Sequence, residues 1–410
     1  MSALRKTRIL YVNHTGQVSG AEKILLSILR GLDHTRYEPY VLCPPQGELA
    51  REVRALGAEW LPWPVLRARF TWRPDHVLQG IASLCAAVIS LRRQLRTVDP
   101  NLIHANSVRA GIAASMAAIG TRKPVIWHVH DTLPRHPVST AIRIIAHLTR
   151  NTRVVAVSHA TAKRFSGLLP FGTRVRTIYN GVDLNRFSVG RSGQSAFREH
   201  IGVPEDDFLV CSIGQICARK GLRELVDAMR QIHPQAPNMH LAIVGKVVFQ
   251  HEEAYLHELC ADVKEAGLEG CVHLTGELAN VSPALQAADL LVLNSRDEPF
   301  GLVLIEAMAS GTPVLATRVG GVPEIVSDSE NGWLIANGDT AALSSKLLDL
   351  SQDRSALTRV AQTAHRTTCP QFSLERFQNE LIQFYAELDP NSYLEWKLPN
   401  PPALARGGKT

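Results

Sequence analysis

Short β-branched and apolar runs alternate with longer amphipathic segments from one end of this 410-residue chain to the other. Ile9-Leu10-Tyr11-Val12 reads as a strand and Ala21 to Arg30 as a helix. Strands are then expected at Tyr40–Cys43, Leu102–His104, Val125–Val129, Val154–Val157 and Val175–Tyr179, with helical stretches between them. The second half restarts the pattern. Phe208–Ile213, His240–Val244, Val272–Leu274, Leu290–Leu293 and Pro313–Ala316 read as strands; Gly221–Arg230, Glu252–Ala266, Leu302–Ala309 and Ala341–Leu350 read as helices. Strand–helix–strand repetition of this kind builds a parallel, doubly wound sheet with helices on both faces.

The length exceeds one ordinary domain. The expected fold class is therefore α/β, with two Rossmann-like domains of doubly wound parallel sheet facing a central cleft. Their ranges are 1–186 and 187–372, joined through the aperiodic stretch Asn185–Gln194. A last helix, Leu374 to Leu388, is expected to pack back on the first domain. The Pro- and Gly-rich tail 389–410 reads as mobile at its end. Ligands of such sheets bind at the carboxyl ends of the strands, facing the cleft.

Composition narrows the function classes. Charged residues make up 20% of the chain and the net charge is +6, which suits an anionic partner. The basic residues are spread out, with no aromatic-interleaved stripe, so no nucleic-acid partner is expected. The seven cysteines form no C-x-x-C pair and read as buried thiols of a reducing cytosol. The opening residues read as a first strand and not a signal peptide, and no apolar run reaches bilayer length. Val77 to Leu91 is largely apolar and is followed by Arg92, Arg93 and Arg96. Such a helix can lie on an anionic membrane surface; the preferred reading is a buried helix with a solvated end.

The segment richest in chemistry is Glu298-Pro299-Phe300-Gly301-Leu302-Val303-Leu304-Ile305-Glu306-Ala307-Met308-Ala309-Ser310-Gly311-Thr312-Pro313-Val314. It follows a strand and opens a helix near Gly301. The amides of Phe300, Gly301 and Leu302 then point outward, and with the helix dipole they favour an anion such as a diphosphate. Glu298 and Glu306, eight residues apart and about two turns along one face, place one carboxylate toward a sugar and the other toward ribose hydroxyls. Taken singly, Glu298 reads more simply as an N-terminal helix charge and Glu306 as a solvated one; the whole string is what points to a site.

On this string the chain resembles the retaining glycosyltransferase family 4, of the GT-B fold. The resemblance extends through Gly320-Gly321-Val322-Pro323-Glu324-Ile325-Val326 and Asn331-Gly332-Trp333-Leu334, and upstream through Ile178-Tyr179-Asn180-Gly181-Val182-Asp183-Leu184-Asn185-Arg186-Phe187. It covers nearly the whole chain and is looser over residues 40–100. It implies a first domain on the acceptor side and a second that binds a nucleotide-sugar donor. It also implies transfer with retention to a carbohydrate or lipid-linked acceptor, in cell-surface polysaccharide or glycolipid synthesis at the cytoplasmic side of a membrane. The implied catalytic residues are His130, Glu298 and Lys220.

Lys220, at a strand–loop–helix turn, sets a point charge against a phosphate. The family usually carries an arginine where this chain has Gln215, and Arg219 is expected to compensate. Gly20, ahead of the first domain's first helix, lets the backbone approach the diphosphate; the family form is Gly-Gly-x-Glu, and Ser19 replaces the first glycine. There is no G-x-G-x-x-G, so a nicotinamide reading gains no support. Trp127-His128-Val129-His130-Asp131 ends a strand. His128 and His130 share a face. The strand's end favours His130 for the transferred sugar and puts Asp131 near the acceptor. No D-x-D occurs in the chain, so no metal and no other cofactor is expected, the nucleotide sugar being a co-substrate. A nucleotide-sugar 2-epimerase, another GT-B enzyme such as a sugar phosphorylase, and a non-catalytic nucleotide-sugar-binding protein stand as rivals.

Overall fold

The computed structural model describes residues 6–66, 74–133, 137–148, 151–166, 174–187 and 194–389. In the first half, β1 (Thr7–Val12), β2 (Tyr37–Cys43), β3 (Glu59–Pro62), β4 (Leu102–Ala105), β5 (Val125–Val129), β6 (Thr152–Ala156) and β7 (Val175–Thr177) form a seven-stranded sheet in the order β3-β2-β1-β4-β5-β6-β7. In the second, β8 (Phe208–Ile213), β9 (Met239–Val244), β10 (Val272–Gly276), β11 (Leu290–Leu293), β12 (Val314–Thr317) and β13 (Trp333–Ile335) form a six-stranded sheet in the order β10-β9-β8-β11-β12-β13. Every pairing within both sheets is parallel.

The first sheet carries α1 (Gly20–Gly31), α2 (Leu49–Ala55), α3 (Pro74–Val98), α4 (Val108–Ala118), α5 (Pro137–Leu148) and α6 (His159–Lys163). The second carries α7 (Gln194–Ile201), α8 (Leu222–Ile232), α9 (Glu253–Glu265), α10 (Ser282–Ala287), α11 (Leu302–Ala309), α12 (Thr340–Gln352) and α13 (Arg354–Thr367). The chain ends its described part with α14 (Leu374–Leu388). Among the described residues no helix is long and apolar enough to cross a membrane.

Alternation along the strands separates four apolar clusters, two per sheet. On β8 and β11, Leu209, Cys211, Leu291 and Leu293 face α10 and α11, while Phe208, Val210, Leu290 and Val292 face α8 and α12. On the first sheet, Leu10, Val12, Ile103 and Trp127 face α3 and α4, while Ile9, Tyr11, Leu102 and Ile126 face α1. Phe377, Leu381, Phe384 and Tyr385 of α14 pack into that last cluster. The chain thus crosses between sheets twice, and the crossings are tied: Val182 N donates to Phe372 O at 2.9 Å and Leu374 N to Val182 O at 2.9 Å.

Three expectations are corrected here. The aperiodic junction ends one residue early, because Gln194 already begins α7; residues 188–193 of it, like the tail from 390 to 410, lie outside the described residues. Of the seven thiols, Cys85 and Cys260 are exposed, since each falls on the outer face of its helix. The segment Val77 to Leu91 is not a buried helix. Its Ala87 and Leu91 are buried, but Leu78, Ile81 and Ile89 are 67%, 55% and 55% exposed. Only one stripe of α3 can meet α4, and the apolar residues continue round to the other side.

Candidate active site in the cleft between the two sheets

In both sheets the chain runs outward from the first strand and then returns to its other side, so β1/β4 and β8/β11 are the switch points. The loops leaving the carboxyl ends of these strands diverge there and open a crevice. On the second sheet, the loop after β8 makes a 3-10 turn, Ala218–Lys220, before α8. It is bound to the loop after β11: Arg296 N donates to Arg219 O at 2.8 Å, and Asn294 Nδ2 to Gly221 O at 2.9 Å. These bonds bring Lys220 Nζ to 2.6 Å from Glu298 Oε2, which also accepts from Ser295 Oγ at 3.1 Å. Arg219 Nη1 lies 4.0 Å from the same oxygen and donates to Asp297 O at 3.0 Å. Burial alone would raise the Glu298 carboxyl; the charge and hydrogen bond of Lys220, with help from Arg219 and Ser295, hold it below its ordinary value.

The backbone of Glu298 is clamped from behind. Gly320 has φ +50°, and a Cβ there would lie 2.0 Å from Glu298 O, while Gly321 N donates to that oxygen at 2.9 Å. Gly301 caps α11 in the left-handed region, φ +105°. The amides of Phe300, Gly301 and Leu302 find no acceptor among the described residues. Glu298 therefore sits in the turn before α11, and Glu306 in its second turn. The two do not share a helix face, because the chain turns at Pro299–Gly301. Burial raises the Glu306 carboxyl, opposed by Lys23 on α1 and by Arg186. Gln215 is engaged: its Nε2 donates to Glu252 Oε2 at 2.6 Å.

The opposite wall comes from β1, β4 and β5. His130 follows β5, with Nε2 3.0 Å from Asn106 Oδ1. His128 lies behind it, ring centroids 4.2 Å apart, with Nδ1 3.2 Å from His104 Nε2. Burial pushes His130 and His104 down to about 3, and His128 well below the usual histidine value. Asp131 is exposed at the mouth of the crevice, yet flanked by protein on both sides. Desolvation raises its carboxyl, against the pull of Arg219 across the cleft and of Arg109 on α4. Gly20 is exposed with nothing within 4 Å of a Cβ. Gly20 is already the first residue of α1, and the glycine that the backbone requires in the loop before it is Gly16, where a Cβ would meet Gln46 O at 1.8 Å. The two walls also touch directly. Ser158 Oγ donates to Pro299 O at 2.6 Å, and Glu324 accepts from the amides of His159 and Ala160 at 2.7 and 2.8 Å and from Tyr179 Oη at 3.0 Å. Leu302 packs against apolar clusters of both sheets.

The structure thus brings Glu298, Lys220 and Arg219 together, with Phe300–Leu302 beside them and His130 and Asp131 opposite. It sets Gln215 against Glu252. Asn106, Asn13, Arg109 and Glu324 belong to the same walls and were not singled out in the sequence. Asn13 and Asn106 could have been found as the first residues past β1 and β4, the position His130 holds after β5.

Two family models cover most of the chain: Glycosyltransferase Family 4 over residues 18–186 and Glycosyl transferases group 1 over residues 193–367. The lipopolysaccharide core biosynthesis mannosyltransferase LpsB of Rhizobium meliloti is 31% identical over 285 residues, 64% of this chain and 79% of that protein. The chain belongs to glycosyltransferase family 4. As a member of this family it is a glycosyltransferase with the GT-B fold. The lipopolysaccharide core biosynthesis glycosyltransferase LpsE of the same organism is 32% identical over 189 residues, 46% of this chain; the chain spans only about half of that relative, 53% of its length. Among solved structures, Anabaena HepE in complex with UDP-glucose superposes with a TM-score of 0.80, at 25% identity over 93% of this chain and 99% of that one.

Proposed function

We propose that this glycosyltransferase moves a sugar, with retention of anomeric configuration, from a nucleotide-diphosphate sugar to a carbohydrate or lipid-linked acceptor of a cell-surface polysaccharide or glycolipid. The observation that carries the donor half is the convergence of Lys220, Arg219 and the amides of Phe300–Leu302, which have no acceptor among the described residues, beside Glu298. The diphosphate lies against the lysine and the helix amides, where positive potential meets the charge that develops as it leaves. Glu298 and His130 orient the sugar from opposite walls, Glu306 holds the ribose, and Asp131 stands on the acceptor side. The acceptor oxygen forms its bond to the anomeric carbon on the face from which the phosphate departs. The anomeric carbon–phosphate oxygen bond breaks, and the acceptor proton passes to that phosphate oxygen. No metal is required in this scheme, because Lys220 and the amides carry the charge. The UDP-glucose held by HepE makes uridine-diphosphate sugars the first donors to try.

The acceptor reading is supported by α3. Leu78, Ile81, Cys85 and Ile89 recur at helical spacing on its exposed face, and Arg92, Arg93 and Arg96 follow, also exposed. An apolar stripe ending in cations suits the anionic headgroups of a cytoplasmic leaflet. Sedimentation with vesicles tests it: binding is expected with anionic vesicles, is lost in Ile81→Asp/Ile89→Asp, and is weak with neutral ones. Equal recovery with both lipids refutes it. For the reaction, a panel of nucleotide-diphosphate sugars is incubated in excess EDTA. Donor turnover that vanishes with chelator and returns with magnesium or manganese overturns the metal-free scheme.

A further inference from the structure

The amide of Asn106 can be oriented without ambiguity, and the chain of donors that fixes it ends on His130. Asn13 Nδ2 lies 2.7 Å from Thr15 O and 3.0 Å from Glu22 Oε1. A carbonyl oxygen can only accept, so the atom facing Thr15 is the donor nitrogen, and Asn13 Oδ1 must face the other way. Asn106 Nδ2 meets that oxygen at 3.0 Å and the carbonyl of Ala21 at 3.1 Å, another obligatory acceptor. Its Oδ1 is left for His130 Nε2, 3.0 Å away. An amide oxygen cannot donate, so the proton of that bond sits on Nε2. Asn13, Asn106 and His130 are each the first residue after a strand, on the adjacent strands β1, β4 and β5. Asn13 is 0% and Asn106 0% exposed, so water does not compete for these bonds. Glu22, which anchors the far end, is fixed by the amide and hydroxyl of Ser19 at the start of α1.

We propose that Asn106 is a positioning residue for transfer: it holds His130 as the Nε2–H tautomer, so that the bare Nδ1 accepts a hydrogen bond from a hydroxyl of the donor sugar. This rests on the reading above that His130 meets the sugar. His130 Nδ1 bonds no group among the described residues. The titratable groups around the ring are His128 behind it, His104 beyond, the neighbouring Asp131, and Glu22 through the two asparagines. The histidines are kept neutral by burial, so the tautomer, not the charge, is what Asn106 selects.

The test is nitrogen-15 NMR of the histidines in the full chain, with the His130 signals identified by their loss in His130→Ala. Wild type is expected to show Nδ1 unprotonated and Nε2 protonated at pH 7. Asn106→Leu should give a mixture of tautomers, with kcat/KM for the donor about tenfold lower. Asn106→Asp, which keeps the shape, sets a carboxylate against Nε2 and should make His130 titrate at higher pH. Its pH–rate profile should gain an acid limb that wild type lacks, with activity returning as pH rises. A proton on Nδ1 in wild type, or the same tautomer in all three proteins, overturns the assignment. If the tautomer is as expected but His130→Ala keeps full turnover, the sugar contact falls and the role in transfer falls with it.

Discussion

Lys220 is the residue whose removal should hurt most. Its Nζ lies 2.6 Å from Glu298 Oε2, and in the proposed reaction it is the cation that meets the diphosphate beside the α11 amides. Lys220→Ala is expected to lower turnover by about 10²–10³-fold, as loss of a preorganised charge does. Arg219, 41% exposed and 4.0 Å from the same oxygen, contributes less. Arg219→Ala should cost on the order of tenfold, and unchanged turnover would end the idea that it replaces the family's arginine. Gln215→Arg should be nearly neutral, because the new guanidinium would meet Glu252, the present partner of Gln215. The three variants measured side by side decide the ranking. The buried histidines give a pH prediction. His104 and His130, lowered from 6.5 to about 3, bind fewer protons folded than unfolded. Stability is then fully present above pH 6.5 and is lost as pH falls from 6.5 toward 3, with a slope of up to about 1.4 kcal/mol per pH unit for each group. Thermal denaturation between pH 7 and 5 reads it; a flat midpoint would mean that the rings become protonated in place. Glu298 and Lys220 were legible in the sequence because glycines mark the loops that carry them. Asn106 was not, since one asparagine after one strand forms no pattern until the neighbouring strands are in register.

The loops of the second sheet are built so that one element holds another. Gly320, at φ +50° and against Glu298 O, is where a side chain cannot be added without moving the loop that carries Glu298. Gly320→Ala should lower stability by about 1–3 kcal/mol through left-handed strain and crowding, and should also reduce turnover in the folded fraction. A variant that loses stability but keeps wild-type kcat would show that Glu298 is not held from that side. The amphipathic period of α1 was readable by itself, and β8 as an unbroken apolar run, whereas α11, eight residues and apolar all round but for Glu306, was readable only from the glycine turn before it. β3 and β13 were missed for physical reasons: Trp333–Ile335 has three residues, too few to show alternation, and Glu59–Pro62 is an edge strand that ends in a proline. The outer face of α3 was misjudged because an apolar run looks the same whether its partner is a neighbouring helix or lies outside the chain.

At the scale of the whole molecule, the crevice exists because two sheets are joined by two chain crossings and a small contact, polar at Ser158 and Glu324 and apolar at Leu302. Glu324 reaches across to cap α6 and to accept from Tyr179. Glu324→Ala should leave two amides without their acceptor, lower the thermal midpoint by a few degrees, and widen the distribution of distances between the two halves in solution scattering. An unchanged scattering curve would assign the contact to local capping alone. The two-sheet plan could be read from the restart of the strand–helix pattern near residue 208. The contacts across the cleft could not, because they join residues more than a hundred positions apart, such as Ser158 and Pro299. The central claim is that this cleft transfers a sugar from a nucleotide diphosphate through Lys220 without metal. It is tested most directly by donor turnover across a panel of nucleotide-diphosphate sugars in EDTA, for wild type and Lys220→Ala in parallel. The account predicts that wild type consumes at least one donor and releases the nucleoside diphosphate, and that Lys220→Ala loses about 10²–10³-fold of that rate while staying folded. A wild-type protein that neither binds nor consumes any donor, or a Lys220→Ala variant as active as wild type, would contradict it.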